Sequence, residues 1–130
     1  MTYSLRPIGH VRSTLRELAD APRQGSEGAP EAWLELDPAL VAGLSGLAPR
    51  DELIVITWLD RADRGTLQVH PRGDPHNSLT GVFATRSPHR PNPLGLHRVT
   101  VQDISGHRLL VEPLEAIDGT PVIDIKPVLD

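Results

Sequence analysis

The sequence has 130 residues, a formal net charge of −4, no cysteine and 3% aromatic residues. That length fits one domain spanning residues 1–130 with an aliphatic core of Leu, Val and Ile, and the lack of cysteine excludes disulfides and thiolate metal sites. No apolar run of about 18 residues and no signal-peptide core occur, so no membrane span is expected and the chain reads as cytoplasmic.

Thirteen prolines and eleven glycines cut the chain into short pieces, which argues against long helices. A first strand is expected over residues 3–11, followed by a polar, Gly- and Pro-rich loop over 19–30. Trp33-Leu34-Glu35-Leu36 alternates apolar with polar, as a half-buried strand does. Asp37 is placed to cap a short helix, with Pro38 at its first position and Gly43 or Gly46 ending it. Residues 53–59 are almost continuously apolar, which predicts a central strand buried on both faces. Further strands are expected over 66–70, 81–85, 96–104, 107–112 and 122–125, with Ser105-Gly106 as a hairpin turn. Many short strands with one short helix and long proline-rich loops give an all-β fold, a small barrel or sandwich.

Residues 81–98 contain no acidic residue but carry Arg86, Arg90 and Arg98. Pro88, Pro91 and Pro93 fix φ and remove three backbone donors, so this segment is expected to be a stiff loop presenting Arg86, Ser87, His89, Arg90 and Asn92. A cationic loop in an acidic protein suits an anionic substrate or a cofactor carboxylate; solvated surface arginines are the equally weighted alternative. In a second segment, Asp118-Gly119 reads as a turn and Pro121 opens a strand. Asp124 and Lys126 share one face of that strand, opposite Ile123 and Ile125, which favours a surface ion pair over a site-lining pair. No glycine-rich dinucleotide motif or P-loop is present. His70 and His76 lack the companions of a metal site, and scattered loop histidines are the better account. The net charge of −4 does not supply the basic face that binding nucleic acid alone requires.

The string Ala84-Thr85-Arg86-Ser87-Pro88-His89-Arg90-Pro91-Asn92-Pro93-Leu94-Gly95-Leu96 resembles the signature of the TsaA-like (tRNA methyltransferase O) family. Asp118-Gly119-Thr120-Pro121-Val122-Ile123-Asp124-Ile125-Lys126-Pro127 resembles its second signature. Ile8-Gly9-His10-Val11-Arg12-Ser13 resembles its opening, and Pro22-Arg23-Gln24 its third motif. The resemblance implies a β-barrel that binds S-adenosylmethionine, usually as a homodimer with the cofactor near the subunit interface. It also implies methylation of the exocyclic nitrogen of threonylcarbamoyl-adenosine beside the tRNA anticodon. Carried onto matching positions, the cofactor contacts fall on Pro22, Arg23, Gln24, Arg86, Leu96, Asp118, Gly119, Thr120 and Pro121. Asp60 and Arg61 occupy the place of a family pair that is commonly His-Gln and are carried over as cofactor contacts. Many tRNA-modifying members continue into a further domain beyond the second signature, where this sequence ends.

Arg86 is expected to hold the cofactor, because Pro88 restrains its backbone; Arg90 or Arg98 is expected to reach a substrate phosphate from a loop tip. Arg90, Asn92 and Lys126 are the candidate substrate contacts, and Asp124, Asp60 and His89 the candidate proton acceptors. A methyltransferase acting on tRNA is the leading reading. A small-molecule methyltransferase and a non-catalytic S-adenosylmethionine-binding module are the rivals, with a His70/His76 metal enzyme behind them.

Overall fold

The computed structural model describes residues 1–17 and 21–129; Ala19 and Asp20 of the expected polar loop lie outside the described residues. Six strands close into an antiparallel barrel: β1 (Gly9–Arg12), β2 (Ala32–Leu36), β3 (Glu52–Trp58), β6 (Leu94–Ser105), β7 (Arg108–Glu112) and β8 (Pro121–Pro127). Their order around the barrel is β1-β2-β7-β6-β3-β8. Two short strands, β4 (Gln68–Val69) and β5 (Thr80–Gly81), form a separate hairpin sheet. Closure leaves none of the six strands with a free edge.

The interior is aliphatic, as the scarcity of aromatics requires. Val11, Leu34, Leu53, Val55, Val99, Val101, Leu109, Val111, Leu114 and Val122 are all buried. Period-two alternation aims them inward: β2 is buried at Ala32, Leu34 and Leu36, and β7 at Leu109 and Val111. The long β6 serves two neighbours, pairing β3 from Leu94 to Thr100 and β7 from Thr100 to Ser105. A register shift between Val101 and Asp103 bends it between them.

Several expectations are corrected. The first strand is confined to Gly9–Arg12, where β1 pairs with both β2 and β8. The capped helix is present over Pro38–Leu44 with 3-10 geometry, and Asp37 Oδ1 accepts from the Ala39 N–H as expected of an N-cap. Strand β3 is not buried on both faces: Leu53, Val55 and Thr57 point inward, while Ile54, Ile56 and Trp58 are half-buried outside. Its continuous apolarity arises because the outer wall is itself apolar, with Ile56 opposite Leu96 and Trp58 opposite Leu94. The strand expected at 66–70 shrinks to Gln68–Val69. Residues 82–84 turn into a 3-10 segment after Gly81, with the Thr85 N–H and hydroxyl both donating to the Val82 carbonyl. The β6–β7 hairpin turns at Gly106-His107, one residue beyond the expected pair, with Gly106 at φ 60°.

Candidate functional site

Three clusters hold many, but not all, of the residues that the sequence singles out. The first is a pocket of about 270 Å³ on the barrel wall, lined by Gln24, Gly25, Ser26, Leu96, Arg98, Pro113 and Glu115. Two segments remote in sequence meet here, the 3-10 turn Gly25–Glu27 and strand β6. The turn is anchored from outside: Glu27 pairs with Arg72 at 2.5 Å, and the Arg23 guanidinium lies over Gly73. A Cβ at Gly73 would stand 3.3 Å from Arg23 Nη2, and Gly73 itself has φ 68°. Gln24 and Leu96 therefore share a pocket, whereas Pro22 and Arg23 flank it without lining it. At about 270 Å³ the pocket falls just below the range of ~300–1,000 Å³ usual for small-molecule sites.

The second cluster joins the proline-rich segment to the turn after β3. The Arg64 guanidinium lies 5.2 Å from the Trp58 ring centroid. It donates to the Pro91 carbonyl at 2.7 Å and to Asn92 Oδ1 at 3.1 Å. The Asp63 N–H donates to His89 Nδ1 at 3.0 Å, which leaves the proton of the neutral ring on Nε2. The Gly65 N–H and then the Thr66 hydroxyl, both donating to the Asp63 carboxylate, hold its pKa below the ordinary value of 3.8.

Arg90 departs from its expected place at an open loop tip. Its Nη1 donates to the carbonyls of Thr85 and Ser87 at 3.2 and 3.0 Å, and its Nη2 to that of Val82 at 2.8 Å. The physical reason is the prolines: a segment short of N–H donors leaves the Thr85 and Ser87 carbonyls to the guanidinium, which also adds a donor to Val82 O beside those of Thr85. Arg98 is likewise no loop residue; it sits on β6 and pairs with Glu52 across the β3–β6 ladder. Arg86 is exposed and has no hydrogen-bond or ion-pair partner among the described residues. Asp60 and Arg61 are exposed at the end of β3.

The third cluster is the turn before β8. Asp118 Oδ1 accepts from the Ser13 N–H at 3.0 Å, and Arg16 approaches its other oxygen at 3.8 Å. Gly119, at φ 85°, donates its N–H to Val11 O, a conformation that favours glycine. Thr120 is buried, with its hydroxyl donating to Ile117 O at 2.7 Å, and Pro121 opens β8 opposite His10. Farther along β8, Asp124 and Lys126 pair at 3.3 Å on the outer wall, both well exposed. Arg86, Asp60, Arg61 and residues 118–121 thus lie outside the lining of the first pocket in the single chain.

Four residues that the sequence reading did not single out carry much of this geometry. Arg64 organises the second cluster. Thr57, His97 and Glu115 form a hydrogen-bonded chain beneath the pocket. His97 carried a usable signal: Gly95, His97, Val99 and Val101 recur at period two, which puts a polar residue on the buried face of β6. Glu115 lies in an irregular stretch with no such pattern. His70 Nδ1 bonds to Asn77 O and His76 Nδ1 to Asp74 Oδ1, so both serve the β4–β5 loop. Among the described residues no group of three potential ligands is placed to hold a metal ion, and no helix is long and apolar enough to cross a membrane.

The family model described as the tRNA-methyltransferase O N-terminal domain matches residues 10–130. A relative in Archaeoglobus fulgidus, named a probable S-adenosyl-L-methionine-binding protein, is 45% identical over 98% of this chain and 34% of its own length. One of the same name in Methanothermobacter thermautotrophicus is 42% identical over 98% of this chain and 90% of its own length. The crystal structure of TrmO from Pseudomonas aeruginosa superimposes with a TM-score of 0.79 at 34% identity, covering 99% of this chain and 55% of that one. The chain thus spans about a third of the first relative and just over half of the solved enzyme.

Proposed function

The chain belongs to the family of the tRNA-methyltransferase O N-terminal domain, and from that premise we propose that it binds S-adenosylmethionine and transfers its methyl group to the exocyclic nitrogen of threonylcarbamoyl-adenosine beside the tRNA anticodon. The observation that carries this reading is the convergence of Gln24 and Leu96, from two family motifs, on one pocket. The residues present fit such a cofactor. Leu96, 50% exposed, offers an apolar wall for a purine, Gln24 an amide, and Glu115 a carboxylate for a cationic group. When bound, the cofactor supplies an electrophilic methyl group. The protein's part is to orient it, because methyl transfer needs an in-line approach at about 3–3.5 Å.

Arg86, which has no partner among the described residues, is the arginine available to the cofactor carboxylate. Asp118-Gly119-Thr120-Pro121 is held rigidly against β1 and offers a carboxylate and backbone groups. Of the candidate proton acceptors, Asp124 is the best placed. It lies opposite Ile56, which in turn lies opposite Leu96, so it is two strand spacings, about 10 Å, from the pocket wall. His89 is less suited, since its Nδ1 lone pair is already bonded to the Asp63 N–H.

The reading includes a cytoplasmic homodimer. Its support is the apolar outer wall of Ile54, Ile56, Trp58, Leu94 and Leu96, together with a pocket that one chain leaves small and apart from Arg86 and Asp118. Incubation with methyl-labelled cofactor and tRNA lacking the modification is expected to label the tRNA. One observation favours a different acceptor: Arg12, Arg72, Arg98 and Arg108 all pair with glutamates, which reduces the charge available to phosphates. Cofactor binding without labelled tRNA would reject the tRNA reading in favour of a small-molecule acceptor or a non-catalytic binding module.

A further inference from the structure

A hydrogen-bonded chain runs from the barrel interior to the pocket. Thr57 Oγ1 lies 2.7 Å from His97 Nε2, and His97 Nδ1 lies 2.5 Å from Glu115 Oε1. Thr57 is 0% exposed, His97 5% and the Glu115 side chain 14%. Facing a carboxylate that only accepts, the neutral imidazole carries its proton on Nδ1, and Nε2 then accepts from the Thr57 hydroxyl. Gly95 leaves room for this chain: a Cβ there would stand 2.5 Å from Thr57 Oγ1 and 2.7 Å from His97 Nε2.

One oxygen of Glu115 is fixed in this way. The other, Oε2, has no hydrogen-bond or ion-pair partner among the described residues, although Glu115 lines the pocket beside Gln24, Gly25 and Leu96. The turn comes close at Gly25, where a Cβ would stand 3.1 Å from Oε2 and 3.1 Å from Pro113 Cγ. Oε2 is open to the pocket and to solvent, so a donor or cation entering the pocket takes the place of water at a carboxylate whose other oxygen is already held. A divalent metal is a poor match, because Glu115 belongs to no group of three potential ligands among the described residues and its one neighbour of that kind, His97, is hydrogen-bonded to it. A singly charged organic cation is a good match, because the other charged residue of the lining, Arg98, is paired with Glu52.

We propose that Glu115 contacts the cofactor directly, Oε2 receiving an onium group of S-adenosylmethionine while His97 and Thr57 hold the carboxylate in place. The assignment rests on the cofactor reading above. Two groups share this chemistry, the ammonium and the sulfonium, and three ligands separate them. S-adenosylmethionine carries both, S-adenosylhomocysteine keeps only the ammonium, and 5′-methylthioadenosine has neither.

Calorimetric titration of the full chain with each ligand tests the proposal. Glu115→Gln keeps an acceptor for His97 and removes the charge. It is expected to weaken S-adenosylmethionine about 10- to 100-fold and to leave methylthioadenosine within about twofold of the parent protein. A matching loss for S-adenosylhomocysteine identifies the ammonium as the partner, and an unchanged one identifies the sulfonium. Equal losses for all three ligands, or no loss for any, overturn the assignment. Gly25→Ala provides a second route should Glu115→Gln fail to fold. It sets a methyl group against Oε2 and Pro113 Cγ without touching Thr57 or His97, so crowding is expected to weaken all three ligands somewhat and S-adenosylmethionine more than methylthioadenosine. If the parent protein binds none of the three ligands, the cofactor reading itself fails and the assignment falls with it.

Discussion

Residues 85–93 carry two arginines, a histidine and three prolines, the composition of a loop built to receive an anion. The pocket beside Gln24 and Leu96 is formed from a turn, a strand and an irregular stretch in which no charge pattern stands out. In the folded protein the contrast reverses in part. Arg90 is turned inward onto three carbonyls of its own segment, while the pocket presents an acid with one oxygen open. Charge in a sequence marks where a cation is, not whether the fold already uses it. Prolines that stiffen a loop also strip it of donors, so a nearby arginine is drawn in as a replacement.

The sharpest way to break this comparison is at the buried chain. His97→Ala would leave the Thr57 hydroxyl and the Glu115 carboxylate without partners and open a cavity inside the barrel. A destabilisation of about 3–5 kcal/mol is expected, read from urea unfolding. Thr57→Val removes only the neutral end and is expected to cost about 1 kcal/mol. Equal costs for the two would mean that the charged link from His97 to Glu115 is not the stronger part.

Next in size is the division of labour between the two arginines. Arg90→Ala is expected to destabilise the protein by about 1.5–3 kcal/mol, because three carbonyls lose a charged donor. Arg86→Ala should change stability by no more than about 0.5 kcal/mol, since the side chain is exposed and unpartnered among the described residues. It should weaken cofactor binding by about 1.5–3 kcal/mol if Arg86 holds the carboxylate. Thermal unfolding and calorimetry on both variants check the pair. A stable Arg90→Ala with an unstable Arg86→Ala would reverse the assignment.

The all-β barrel was legible because period-two alternation and turn residues are local signals. The inward residues of β2 and the β6–β7 hairpin could be read directly, the hairpin turn to within one residue. Strand β3 was legible as a strand but not in its burial, since an apolar outer wall and a doubly buried strand give the same run of letters. Residues 82–84 are apolar enough for a strand, yet they turn because Val82 O accepts from both Thr85 and Arg90. The motif residues Gln24 and Leu96 were legible through resemblance, but Glu115 depends on closure of the barrel, which brings β3, β6 and the stretch after β7 together. No spacing within one segment encodes that meeting.

The smallest effect separates two acidic turns by what each one holds. Asp63 and Asp74 both have carboxyl pKa values below 3.8, each lowered mainly by a backbone N–H, that of Gly65 and that of His76 respectively. A depressed folded-state pKa contributes stability that is present above the ordinary carboxylate value and is lost as pH falls through the depressed one. Acidification from about pH 5 to about pH 2 should therefore loosen both turns, and Asp63→Asn or Asp74→Asn should each remove that turn's share of the pH dependence. Only the Asp63 turn carries Arg64 onto Trp58, Pro91 and Asn92, and only its backbone N–H meets His89. The Trp58 indole resonance should accordingly move with acid in the parent protein and in Asp74→Asn, and lose most of that response in Asp63→Asn. An equal response in all three proteins would mean that the turn after β3 does not govern the proline-rich segment, and that Arg90 alone holds it.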